Sequence, residues 1–125
     1  MGCAPDGSMT PTELKARTKT FAVTVILLCR ELPPTIDGRE LGRQLLRAGT
    51  SVAANYRAAC RARSRAEFIA KLGTVLEESD ESLFWLELLV DSKIKPQSRV
   101  DKMMREADQL TAIFAASIKT AKGGR

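Results

Sequence analysis

Between residues 14 and 117, mostly apolar residues recur in steps of three and four, in four runs separated where proline, glycine or a capping residue stands. That period places one stripe of side chains along one face of an α-helix. The first stripe, Leu14, Thr18, Phe21, Val25, Leu28 and Leu32, runs into "LPP", where Pro33 and Pro34 cannot continue the hydrogen-bond ladder. Asp37 and Gly38 offer a cap and a turn before a second run that begins near Arg39 and carries Leu41, Leu45, Ala48, Val52, Tyr56 and Ala59. Ser64-Arg65-Ala66-Glu67 has the form of a capping box and opens a third helix, with Phe68, Leu72, Val75, Ser79, Leu83, Leu86 and Val90 as its stripe. After a loop at Pro96, Ser98 with Asp101 predicts a further cap, and Val100, Met103, Ala107, Leu110, Phe114 and Ser117 supply a fourth face.

Four such segments joined by short links bury their stripes most simply as an all-α, antiparallel up-down-up-down four-helix bundle. The expected domain covers residues 12–122, after a loose tail at residues 1–11, and at 125 residues the chain has room for one core. Hydrophobic residues are 44% of the chain and aromatics 5%, a balance suited to packed Leu, Ala, Ile and Val helices. Small residues crowd the second helix, from Ala48 and Gly49 to Ala58 and Ala59, which lets a neighbour come close. The apolar run at 21–29 is too short to span a bilayer. The start "MGCAPDGS" has Asp6 where an acylation signal wants Ser or Thr. Cys3, Cys29 and Cys60 form no C-x-x-C pair, so the expectation is a cytoplasmic protein with neither a disulfide framework nor a zinc site.

The segment "NYRAACRARSRAEF" sets four arginines against Glu67 alone. At about 100° per residue, with Arg39 at zero, Arg43 falls near 40°, Arg47 near 80°, Arg57 near 0° and Arg61 near 40°, opposite the apolar set. Arg63 and Arg65 follow. Residues 39–72 hold seven Arg and one Lys against Glu40 and Glu67, whereas residues 73–92 hold six acids and no Lys or Arg. Three readings are open: a solvated face, acid–base pairing between subunits, or contact with nucleic acid through Arg39, Arg43, Arg47, Arg57, Arg61, Arg63 and Arg65. No aromatic is interleaved with the stripe to stack on bases, so RNA or DNA would be held by its backbone, with weak sequence preference and strong salt dependence. A fourth possibility replaces the nucleic acid with an acidic protein surface, making the chain an interaction scaffold.

On the third helix Phe84, Trp85 and Leu88 lie about 160° to 260° around from Phe68 by the same count, away from the core stripe. An apolar patch outside a small bundle marks a subunit interface, or else a Trp half-buried at the bundle edge. The first reading predicts a homo-oligomer with these residues at its interface. Catalysis is not expected. The chain has no His, and with it lacks the commonest general base and metal ligand. Its acids do not form the inward array of a carboxylate metal bundle, and no glycine-rich phosphate loop is present. No cofactor, metal or catalytic residue is therefore assigned.

The stretch "GRQLLRAGTSVAANYRAACRARSRAEFIAKLGTVLEESDESLFWLELL", residues 42–89, resembles the four-helix bundle proteins of the 23S rRNA intervening-sequence family, and "RTKTFAVTVILLCRELP", residues 17–33, resembles their first helix. The resemblance implies a cytoplasmic bacterial bundle that assembles as a ring, commonly a pentamer, with a positive surface. Similar bundles are accessory proteins of diversity-generating retroelements, which implies nucleic acid and a reverse transcriptase as partners. On the matched segments stand Gly42, Arg43, Gln44, Arg47, Ser51, Asn55, Arg57, Arg61, Arg63 and Arg65. Ala58 stands where the family usually has Glu, which makes the stripe more basic.

Overall fold

Capping chemistry fixes where three of the four helices begin. The computed structural model describes residues 9–123, so most of the expected tail, with Cys3, lies outside the described residues. The helices are α1 (Pro11–Cys29), α2 (Ile36–Ala59), α3 (Arg65–Asp91) and α4 (Gln97–Ala121). At the start of α1 a capping box closes reciprocally: Glu13 N–H donates to Thr10 Oγ1 at 3.1 Å, and Thr10 N–H donates to Glu13 Oε1 at 2.8 Å. Pro11 follows as the first helical residue, where its missing N–H costs nothing.

Three boundary expectations are corrected. The cap of α2 is Thr35, whose Oγ1 accepts from Gly38 N–H at 3.1 Å; Asp37 sits inside the first turn and accepts from the same N–H at 2.9 Å. Ser98 caps nothing, because α4 starts from Pro96 without a side-chain cap. At α3 the expected box is half formed. Ser64 accepts from Glu67 N–H at 3.0 Å, but Glu67 reaches past the cap to accept from Arg63 N–H at 3.3 Å.

Buried positions follow a heptad step on every helix, as in Leu14, Thr18, Phe21, Val25 and Leu28 on α1. On α3 the buried set is Phe68, Leu72, Val75, Ser79, Ser82, Leu86 and Leu89. The expected Leu83 and Val90 are only partly buried, and Ser82 and Leu89 take their places. Side-chain size favoured Leu83, but strict alternation of four and three wins, because a repeat of 3.5 keeps one seam facing the neighbours along the whole helix. Ser82 tolerates burial because its hydroxyl donates to Glu78 O at 2.8 Å, and Thr18 and Ser117 bond back to Leu14 O and Ile113 O in the same way. Leu32 lies beyond the end of α1 and packs against the core from the α1–α2 turn.

Successive helices pack side by side, and α1 closes on α4, while diagonal pairs face each other only across the core. This is the expected up-down-up-down bundle without strands among the described residues. Tyr56 and Phe114 meet across its centre with ring centroids 5.5 Å apart. The α1–α2 seam is close because of Gly49: a Cβ there would stand 2.9 Å from both γ-methyl carbons of Val25. By contrast, the α1–α4 seam is the least closed and is strapped at its ends. Arg17 donates to both carboxylate oxygens of Glu106 at 2.6 and 2.8 Å and to Gln109 at 2.7 Å. At the other end Glu31 pairs with Arg99 and, at 2.9 Å, with Lys95, and these two cations pull its carboxyl down to about 2.

One backbone position is strained. Lys93, just past α3, has φ 64°, while Ile94 N–H donates back to Leu89 O at 3.0 Å to finish the helix. A side chain in this left-handed region costs about 1 kcal/mol, which glycine avoids. Lys93→Gly is therefore expected to raise stability by about 0.5–1 kcal/mol, measured by urea unfolding; a destabilised variant would show that the Lys93 side chain makes up for its backbone.

Candidate nucleic-acid interface

The arginine stripe of α2 divides into two halves with different surroundings. In the N-terminal half, Arg43 donates to Glu40 at 2.8 Å, one turn earlier on the same helix. Arg47 crosses to α3, pairing with Glu78 at 3.0 Å and also with Glu81, whose carboxylate accepts from Trp85 Nε1 at 3.0 Å. The Glu78 hydrogen bond leads in holding the Arg47 guanidinium above its ordinary pKa. Arg39 is exposed beside this group and makes no ion pair among the described residues. Two of the three arginines in this half thus already face carboxylates, although exposed pairs of this kind hold with only about 0.2–1 kcal/mol each.

The C-terminal half is different. Arg57 and Arg61 line a groove along the α1–α2 seam with Lys15 and Lys19 from α1, over a floor of Ala16, Thr50, Ala53, Ala54 and Cys60. The groove has a volume of about 550 Å³. An adjoining depression around Ala54 and Ala58 is lined by the same Arg57 and Arg61 together with Arg63, Lys71 and Glu67. None of Lys15, Lys19, Arg57, Arg61, Arg63 and Lys71 makes an ion pair among the described residues. The one carboxylate beside them, Glu67, accepts the Arg63 backbone N–H instead. Arg65 points elsewhere and donates through Nε to Ala121 O at 2.5 Å, tying the start of α3 to the end of α4.

Local sequence explains why the floor is open and the rims are charged. Ala53, Ala54 and Ala58 follow one another on the outer side of α2, and their short side chains leave a trough. With Gly49 the same helix lets α1 approach, bringing Lys15 and Lys19 alongside Arg57 and Arg61. Six cations around a shared trough repel one another, and an anion with regularly spaced charges relieves that repulsion through charge-assisted hydrogen bonds. Sequence reasoning missed Lys15, Lys19 and Lys71. Lys15 and Lys19, four residues apart on α1, were the available signal, but nothing in α1 itself shows that they border Arg57.

The three residues expected at a subunit interface are not equivalent. Phe84 is 48% exposed. Trp85 is half-buried and packs against the core, its ring meets that of Phe84 edge-on with centroids 5.1 Å apart, and its N–H donates to Glu81 at 3.0 Å. Leu88 is half-buried. Among the described residues no group of three or more Asp, Glu or Cys side chains could hold a metal ion, and no helix is long and apolar enough to cross a membrane. Cys29, its thiol pushed up by burial, donates weakly to Gly42 O at 3.5 Å and acts as helix packing.

Comparison with known proteins gives a consistent picture. A family model described as 23S rRNA-intervening sequence protein matches residues 12–116. Among solved structures, the chain is similar to a protein of unknown function from the S23 ribosomal protein family of Bacteroides thetaiotaomicron, with 31% identity and a TM-score of 0.79. That match covers 89% of this chain and 99% of the other. No curated protein matches the chain.

Proposed function

We propose that this chain, which belongs to the 23S rRNA-intervening sequence protein family, is a non-enzymatic, homo-oligomeric bundle that holds the phosphate backbone of RNA or DNA along its α1–α2 groove. One observation carries the reading: Lys15, Lys19, Arg57, Arg61, Arg63 and Lys71 converge from three elements and the α2–α3 turn around two adjoining depressions that share Arg57 and Arg61 and whose only carboxylate among the described residues is Glu67. A surface that merely stays solvated gains nothing from bringing unpaired cations together, whereas a polyanion gains one contact per cation and releases its condensed counterions. The trough offers Ala and Thr rather than aromatic rings, which favours recognition of phosphates over bases. Arg39, Arg43 and Arg47 then lie at the margin of the contact, with Arg47 freed from Glu78 and Glu81 only when a longer ligand reaches it. Arg65 serves the bundle by holding α4.

The deciding experiment is a fluorescence-anisotropy titration of nuclease-treated protein with labelled RNA and DNA of one sequence at several salt concentrations. The expected result is micromolar or tighter binding at low salt, with log affinity falling linearly against log salt and little change when the sequence is scrambled. Absence of binding at low salt ends the nucleic-acid reading. The same cations would then be tested against an acidic protein, a reverse transcriptase among them, by pull-down after nuclease treatment.

A further inference from the structure

Two exposed apolar spots lie on diagonal helices. The first is a cleft of about 610 Å³ in the middle of the α1–α4 seam, between the straps made by Arg17 and Glu31. Phe21, Leu27 and Met103 line its apolar part and Leu27 is 47% exposed; of the cations along its α4 rim, Arg99 pairs with Glu31 and Arg105 with Asp101, which leaves Lys102 without a carboxylate among the described residues. The second spot is Phe84 on the outer face of α3, where Glu77, Asp80, Glu87 and Asp91 share its azimuth and make no ion pair among the described residues. Each spot is an apolar centre with charge beside it, four unpaired carboxylates around Phe84 and the unpaired Lys102 at the cleft.

We propose that α3 of one copy seats Phe84 in the α1–α4 cleft of the next, with its flanking carboxylates against the Lys102 side of that cleft. This rests on the homo-oligomer reading above and adds the two surfaces and their polarity. The spots cannot satisfy each other within one chain, since α1 and α3 are diagonal and Phe84 points away from the core. The Phe84 stripe does not match itself: two acidic stripes repel, which disfavours a twofold dimer through that patch and favours a head-to-tail contact. Heights also agree. Ser79 lies 2.9 Å from Thr111 across α3 and α4. Five residues on along antiparallel α3, Phe84 comes level with Glu106, which itself lines the cleft. A contact between surfaces at equal height repeats sideways, with little rise along the bundle axis.

The test uses two exposed-site variants, Phe84→Glu and the double variant Leu27→Glu/Lys102→Glu, with helicity and melting checked by circular dichroism. Light scattering after size exclusion at micromolar concentration should show the wild type assembled and each variant alone as a monomer. Mixing the two variants should give a one-to-one dimer, because one retains a working cleft and the other a working Phe84 stripe. If the wild type is assembled but either variant keeps its size, or the mixture stays monomeric, the proposed contact is wrong while the homo-oligomer reading stands. A monomeric wild type overturns both.

Discussion

Replacing Arg57, Arg61 and Lys71 together with glutamine is expected to weaken nucleic-acid binding on the order of 10- to 100-fold at moderate salt and to lower the slope of log affinity against log salt by about 3, one unit per lost phosphate contact. The slope is the more telling readout, since it counts ionic contacts, whereas affinity also responds to any disturbance of the fold. All three side chains border the trough and none is paired with a carboxylate among the described residues, so glutamine leaves no orphaned buried charge. The matching triple change of Arg39, Arg43 and Arg47 is expected to alter affinity far less, because Arg43 and Arg47 already face Glu40, Glu78 and Glu81. Equal losses from the two triples would mean that the whole face of α2, rather than the α1–α2 groove, holds the ligand. Loss only from the second triple would move the site to the N-terminal half of α2.

Gly49→Leu is expected to cost about 3 kcal/mol, seen as a melting temperature lower by roughly 10 °C. Leucine is otherwise the better helix former, so propensity alone predicts a gain of about 1 kcal/mol at this position. The opposite sign follows from contact with α1: the first added carbon already stands 2.9 Å from both Val25 methyl carbons, and a branched side chain drives the helices apart. Val25→Ala in the same chain removes those methyl groups, and the paired change should cost less than the sum of the single ones. The double-mutant comparison checks the cause. Additive costs would mean that Val25 is not what leucine meets. The same substitution bears on function, since α1 carries Lys15 and Lys19 to the groove; where the variant remains folded, its nucleic-acid affinity should fall with its stability.

Much of the bundle was legible because its determinants are local or periodic. The α4 face from Val100 to Ser117 is buried as expected. The Ser64 cap was visible for the same reason, as a hydroxyl three residues before an N–H donor. Errors arose where two local signals competed. Asp37 and Thr35 are both good caps two residues apart, and the packing of Gly38 under the α1–α2 turn settles the matter in favour of Thr35. Leu83 outweighed Ser82 by hydrophobicity, yet Ser82 faces the neighbouring helices and finds its partner in Glu78 O.

By itself the sequence determined four helices, most of their buried seams and the concentration of cations in residues 39–72 and of anions in residues 73–92, because period, capping and charge are properties of single segments. It also determined that Phe84 points outward, since azimuth on a helix is arithmetic. Only the tertiary structure decided which cations stand together. Arg47 and Arg57 share a stripe on α2, yet Arg47 meets Glu78 and Glu81 on α3, while Arg57 meets Lys15 and Lys19 on α1. A helix face carries no information about which neighbour it will border, or at what height. That choice belongs to the packing of Gly49 against Val25 and of Ser79 against Thr111, contacts between residues far apart in the chain.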